Sequence, residues 1–166
     1  MTTTISTQPI NFTATLTFKT HTEQFNANRV KLQKFITPSG EFWVFKGFED
    51  FINPTTQSKA INSLQFYLNS VESMAAFELV PPEVLPKVAA NSAGYYKLED
   101  SPDDQDEDMD TAYEFPCIQG TLYFTPLYQN RYVGIFEFNV KAPNLEIFNI
   151  KGNFEITGTF EPIDLR

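Results

Sequence analysis

Apolar and polar residues alternate along much of this chain. From residue 132 to 140 every second residue is apolar or glycine, and residues 118–125 and 152–160 follow a similar rule. Residues 10–18 show the same period of two near the start of the chain. Successive side chains of a β-strand point to opposite faces, so each segment is predicted to be a strand with one face on a core and the other in water.

Turn residues separate the predicted strands at short intervals. The sequence TPSG at 37–40 indicates a turn between strands at 29–36 and 41–48, and a further strand is predicted at 61–69. Many short strands with turn signals between them favour an all-β fold, an antiparallel sandwich or barrel of about seven to nine strands. Residues 81–94 are predicted to form at most a short helical turn, because their prolines interrupt a helix.

The length of 166 residues fits one domain. We predict a flexible N-terminal arm at residues 1–8 and a single β domain at residues 9–166, within which residues 99–111 form a disordered acidic loop. The composition is 42% apolar and includes 17 phenylalanines, which is enough for a sizeable core.

The acidity of the chain is local. The run from Glu99 to Asp110 holds eight acidic residues and no lysine or arginine. It therefore accounts for nearly all of the net charge of −9 that the whole chain carries. The remaining acidic and basic residues nearly balance, so no basic face is predicted. A nucleic-acid partner is therefore not expected, because binding to a phosphate backbone requires clustered positive charge.

The acidic run resembles a calcium-binding loop only in part. Asp104, Asp106 and Asp108 would occupy the first three ligand positions of an EF-hand loop, but Met109 stands where glycine is required and Phe115 where the bidentate glutamate is required. We therefore interpret the run as a solvated loop, with weak cation binding at the three aspartates as the alternative. No specific metal site and no cofactor are predicted.

No catalytic residues are predicted, and the chain is not expected to be an enzyme. His21 and Cys117 are the only residues of their kinds, they lie far apart in sequence, and no nucleophile, zinc or phosphate-binding motif is present. Two carboxylates that meet across a sheet would be needed for glycoside cleavage, and nothing in the sequence marks such a pair.

The chain carries no sequence signal for a membrane. Its first residues, MTTTISTQP, lack the charged and apolar regions of a secretory signal, and no apolar run approaches the roughly 20 residues of a membrane helix. Membrane insertion is not expected, and a cytoplasmic location is favoured.

Two predicted strands are apolar on both faces. Trp43 and Phe45 alternate with other apolar residues in one strand, and Val133 and Ile135 do so in another. A strand with two apolar faces needs cover on both. We expect these four residues to lie on a face that is covered from outside the main core, either by residues 81–94 or by a protein partner or second copy of the chain.

The main functional hypothesis is therefore a non-enzymatic protein-interaction or structural module that binds either a protein partner or a second copy of the chain. Two alternatives stay open. One is a β-barrel carrier of an apolar ligand in a phenylalanine-lined cavity. The other is a carbohydrate-binding module with exposed aromatic rings, for which the candidates are Trp43, Tyr95, Tyr96, Tyr123, Tyr128 and Tyr132.

The C-terminal half resembles a family of uncharacterised β-sandwich domains from Bacteroidota. The segments that carry the resemblance are GYYKL at 94–98, GTLYFTPL at 120–127, YVGIFEFNV at 132–140 and FNIKGNFEI at 148–156. The resemblance implies a β-sandwich and no catalytic residues. Members of that family are commonly lipoproteins, but this chain shows no leader and no lipobox.

Overall fold

The computed structural model describes residues 11–82, 91–99 and 110–166, and in these it contains eleven β-strands. The strands are β1 (Asn11–Thr17), β2 (Thr22–Asn26), β3 (Arg29–Thr37), β4 (Gly40–Ile52), β5 (Lys59–Leu68), β6 (Ala75–Val80), β7 (Asn91–Glu99), β8 (Asp110–Leu127), β9 (Arg131–Lys141), β10 (Ile147–Thr157) and β11 (Glu161–Asp164). The predicted all-β class is confirmed.

The strands form one open mixed sheet in the order β11-β3-β4-β5-β7-β6-β8-β9-β10-β1-β2. All pairings are antiparallel except β11 with β3 and β6 with β7. The long strand β8 pairs with β7 near its start and with β6 further along. This differs from the predicted sandwich or barrel of seven to nine strands, because the described strands belong to one sheet whose edges, β11 and β2, do not pair.

The sheet curls so that its two halves pack against each other. One half includes β4 and β5, and the other includes β8, β9, β10 and β1. Phe45 on β4 lies 5.6 Å from Phe124 on β8 and 5.4 Å from Phe154 on β10, measured between ring centroids. Phe66 on β5 lies 4.7 Å from Phe136 on β9. The inner faces of the two halves thus form one core, dominated by aromatic rings that are almost fully removed from water.

The alternation in the sequence did not predict strands β2, β7 and β11. No strand was predicted at β2 because Phe25 is its only apolar residue, and β11 is a four-residue edge strand. The first residues of β7, at 91–94, fall in the segment predicted to be helical, while residues 83–90 of that segment lie outside the described residues. Short edge strands carry too few residues for an alternation to be recognised.

The acidic run joins two neighbouring antiparallel strands. The ladder between β7 and β8 continues as far as the pairs Leu98–Thr111 and Glu99–Asp110, so the ends of the run lie side by side. Residues 100–109, including the candidate cation ligands Asp104, Asp106 and Asp108, lie outside the described residues, as does the predicted N-terminal arm.

The structure corrects the predicted interaction face. Phe45 is fully buried in the main core, and Trp43 points to the same side of β4, where it is half-buried and its ring lies 5.4 Å from the Lys34 ammonium. Val133 and Ile135 point away from the core. The four residues therefore do not share a face. The sequence could not show which side of β4 faces the main core, because Val44, on the other side, is also apolar and fully buried.

Candidate ligand-binding face

The outward face of β6, β8, β9 and β10 contains an open groove of about 850 Å³, which we call the outer groove. The outward side chains that line it are alternate residues of each strand, because alternate side chains of a strand share a face. The side chains considered below are Glu78 on β6, Gln119 and Tyr123 on β8, Ile135, Glu137 and Asn139 on β9, and Asn149 and Lys151 on β10.

The strand register brings these residues into rows across the sheet. Tyr123 is paired with Ile135, so an aromatic and an aliphatic side chain lie together. A neighbouring row runs from Glu78 through Thr121 to Glu137 and on to Lys151. The groove therefore has an apolar part and a polar part side by side.

A β-bulge in β8 directs one amide into the groove. The register between β8 and β9 shifts between Cys117, which points into the core, and Gln119, which points outward opposite Asn139. An extra residue in one strand reverses the alternation beyond it. Without this shift, the outward and inward residues of the second half of β8 would exchange faces.

Tyr123 is the main exposed aromatic side chain of the groove, with 61% of its surface accessible, and its neighbour Ile135 is 58% exposed. Side chains of this size are normally buried, so two of them together in an open groove mark a surface that can take up a ligand. The tyrosine offers an apolar ring with a polar hydroxyl at its end.

Three polar side chains next to this pair are joined by hydrogen bonds. The Asn149 Nδ2 donates to Glu137 Oε1 at 3.2 Å and to Asn139 Oδ1 at 3.1 Å. The network holds the carboxylate and both amides in a defined arrangement. Glu137 Oε2 and the Asn139 amide nitrogen make no side-chain hydrogen bond to described residues, so an acceptor and a donor remain for a ligand.

The other predicted aromatic candidates separate into buried and exposed residues. Tyr95 and Tyr132 are buried in the core, and Tyr96 is half-buried with its hydroxyl 3.2 Å from that of Tyr67. Tyr128 is almost fully exposed at the turn after β8. Of the predicted tyrosines, therefore, only Tyr123 and Tyr128 present a ring to solvent.

His21 and Cys117 do not form a catalytic pair. His21 is exposed, and its ring stacks on Phe18 with the centroids 4.6 Å apart. Cys117 is a buried free thiol, and burial raises its pKa to about 12. Within the described part of the chain, no three histidine, cysteine or acidic side chains cluster as metal ligands would.

The sequence did not single out the polar residues of the groove. Glu78, Gln119, Asn139 and Asn149 are ordinary outward residues of four different strands, and no local motif connects them. The only available signal was their place at the polar positions of the alternation. The pairing of distant strands is what brings them together.

Comparisons with known proteins identify no relative. No protein-family model matches this chain, and no curated protein and no solved structure matches it either. The resemblance to Bacteroidota domains therefore stays a prediction. Across residues 11–82, 91–99 and 110–166, no helix has both the length and the apolar character to cross a bilayer.

Proposed function

We propose that the protein is a non-enzymatic binding module and that the outer groove binds a neutral glycan chain. The observation that carries the proposal is the exposed ring of Tyr123 beside the hydrogen-bonded set of Glu137, Asn139 and Asn149. Binding clefts commonly combine an apolar surface with a few fixed polar groups that orient the ligand.

The chemistry of a sugar ring fits both parts of the groove. A pyranose ring has an apolar face of C–H groups, which packs on an aromatic ring such as Tyr123. Its edge carries hydroxyl groups that both donate and accept hydrogen bonds. Amides and carboxylates such as Asn139 and Glu137 supply the matching acceptors and donors in a plane.

The charge of the groove favours a neutral glycan over an acidic one. Two carboxylates, Glu78 and Glu137, line it together with one ammonium group, that of Lys151. An acidic sugar would meet a small excess of negative charge, and like charges repel. Neutral hydroxyl groups bear no such penalty.

The curled sheet supplies the support for such a site. We propose that its two halves act as the two layers of a β-sandwich, with β6, β8, β9 and β10 presenting the groove and β4 and β5 backing it. The aromatic rings that join Phe45 and Phe66 to the opposite half occupy the interior. This filling argues against the carrier hypothesis, which requires an empty apolar cavity.

Isothermal titration calorimetry against neutral hexasaccharides of β-1,4-linked glucose, xylose and mannose tests the proposal. We expect at least one to bind, and Tyr123→Ala to weaken it by about tenfold or more, because central aromatic contacts dominate binding. Tyr113→Ala is the matched control, since Tyr113 is 54% exposed and lies outside the groove. No binding to any of the three glycans would contradict the proposal.

The non-enzymatic part of the proposal needs its own test. Glu78 and Glu137 lie on strands separated only by β8, so their backbones are about 10 Å apart. Pairs of carboxylates at roughly 6.5–9.5 Å cleave glycosidic bonds in some hydrolases. We expect the hexasaccharides to remain intact after long incubation. Cleavage that is abolished by Glu137→Gln would show that the protein is an enzyme.

A second candidate function is docking of a protein partner or of a second copy. It is favoured by the adjacent exposure of Tyr123 and Ile135, with Val133 next along the strand. Solution mass over a range of concentrations tests self-association. If the chain forms dimers that Ile135→Ser dissociates, this face is a protein interface, and glycan binding should then compete with dimer formation.

A further inference from the structure

A second pocket lies at the end of the same sheet face. It has a volume of about 710 Å³ and is formed around the turn between β8 and β9, with Leu127, Tyr128, Arg131 and Glu155 among its lining residues. Tyr128 is 94% exposed, more than any other large apolar or aromatic side chain in the described residues.

The second pocket and the outer groove share one face of the sheet. On β9, Arg131 lines the pocket and Ile135 lines the groove. They are four residues apart, and residues separated by an even number of positions on a strand point to the same face. On β8 the corresponding residues are Leu127 and Tyr123. Thr125 and Val133, which are paired with each other, connect the two sites. The outward face is therefore continuous from one to the other.

The turn that carries Tyr128 contains two residues in the left-handed conformation. Gln129 and Asn130 have φ values of 63° and 56°, in the left-handed region where glycine is normally favoured. The Gly158 amide donates to the Asn130 carbonyl at 2.9 Å and fixes the turn against the chain after β10. Left-handed residues are common in tight hairpin turns, so this turn holds Tyr128 in a defined place at the end of β8.

The polar groups of the second pocket are also held in position. The Arg131 guanidinium forms an ion pair with the Glu155 carboxylate on the neighbouring strand. Such a pair presents several donors and acceptors with fixed geometry. Together with the Tyr128 ring, it repeats the combination of aromatic and polar groups in the outer groove.

We propose that the second pocket is a distal subsite for the same glycan chain, with Tyr128 as its aromatic contact. This inference rests on the proposed function of the outer groove. The eight residue-to-residue steps from Gln119 to Leu127 span roughly 26 Å along β8 at the usual rise per residue. A glycan that lies along the strands over both sites must contain several sugar rings, so its affinity should increase with its length.

Titration of the full chain with β-1,4-linked glucose, xylose and mannose oligosaccharides, each as a disaccharide and a hexasaccharide, tests the inference. We expect the hexasaccharide of the bound class to bind more tightly than the disaccharide. Tyr128→Ala should weaken hexasaccharide binding by about fivefold or more and leave disaccharide binding unchanged, because the disaccharide is held in the groove alone. Tyr123→Ala should weaken both lengths.

Two outcomes would overturn the inference while leaving the groove proposal intact. One is hexasaccharide binding that Tyr128→Ala does not change although Tyr123→Ala reduces it. The other is an equal loss at both lengths in Tyr128→Ala, which would place Tyr128 at the primary site. Tyr113→Ala controls for removal of an exposed ring. Absence of binding by the unmodified protein to all six oligosaccharides would contradict both proposals.

Discussion

The ring of Phe12 on β1 covers the backbone of Gly47 on β4, so closely that a Cβ atom at Gly47 would lie 2.8 Å from Phe12 Cδ2. The two strands belong to opposite halves of the curled sheet. Phe12 is fully buried and is surrounded by further rings, including Phe66 and Phe154 at centroid distances of 6.2 and 5.3 Å. The contact therefore leaves the ring no free space into which it could move.

Gly47→Ala should lower the free energy of unfolding by about 1–3 kcal/mol, because an added methyl group overpacks this contact. Urea denaturation measures the change. Gly158→Ala is the control, since its added Cβ would meet only the end of the Leu32 side chain, at 3.2 Å. A loss for Gly47→Ala no larger than that of the control would contradict this description of the core.

Phe45 and Trp43 should differ in their contribution to stability. Phe45→Ala removes a fully buried ring that contacts Phe124, Phe154 and Phe160, and should cost about 3–5 kcal/mol. Trp43→Ala should cost less, because Trp43 is only half-buried at the edge of the core. Chemical unfolding of both variants tests the order. A larger loss for Trp43→Ala would contradict it.

Stability should fall at alkaline pH because of two tyrosines on the outward side of β5 and β7. Burial raises the pKa of both Tyr67 and Tyr96, and their hydroxyl groups lie 3.2 Å apart. Above about pH 10 the tyrosines of the unfolded chain lose their protons while these two keep theirs, so the folded state binds more protons. Stability is therefore retained below that pH and lost above it.

Urea midpoints at about pH 8 and about pH 11 measure this effect. We expect the midpoint to decrease at the higher pH, and the decrease to be smaller in Tyr67→Phe, which cannot ionise at that position. Tyr128→Phe is the control, because it removes the hydroxyl group of a tyrosine that is 94% exposed. An unchanged decrease in Tyr67→Phe would exclude this tyrosine as the cause.

Cys117 should be unreactive in the folded protein. Its side chain is 1% exposed, and burial raises its pKa to about 12, so little thiolate is present at neutral pH. Labelling with iodoacetamide should be complete in urea and very slow without it. Rapid labelling of the native protein would show that the region around the β8 bulge opens readily.

Residues 100–109 should be dispensable for folding. Because the ladder between β7 and β8 already joins Glu99 to Asp110, an Asn-Gly turn can replace the segment between them. We expect the unfolding free energy to change by no more than about 0.5 kcal/mol. Calcium should not stabilise the unmodified chain. A calcium-dependent rise in melting temperature that the replacement abolishes would instead support a cation site at Asp104, Asp106 and Asp108.

The sequence predicted the strands with the strongest alternation correctly, and it also predicted which of their faces turns inward. In β1, Phe12, Ala14 and Leu16 are buried and Asn11 and Thr17 are exposed, as the period of two requires. This information is local, because the direction of each side chain follows from its position in the strand. In β2 the alternation is too weak for the rule to identify a strand. In β4 both faces are apolar, so the rule could not tell which face turns inward.

The candidate site depended on tertiary structure. Tyr123 was already among the aromatic candidates, but so were Tyr95 and Tyr132, which the fold buries. The polar partners of Tyr123 come from other strands, and Gln119 faces them only because a bulge shifts the register of β8. Each strand determines its own two faces from its sequence. Which strands lie side by side, and in what register, is decided by the packing of the whole core, because these contacts join residues far apart in the chain.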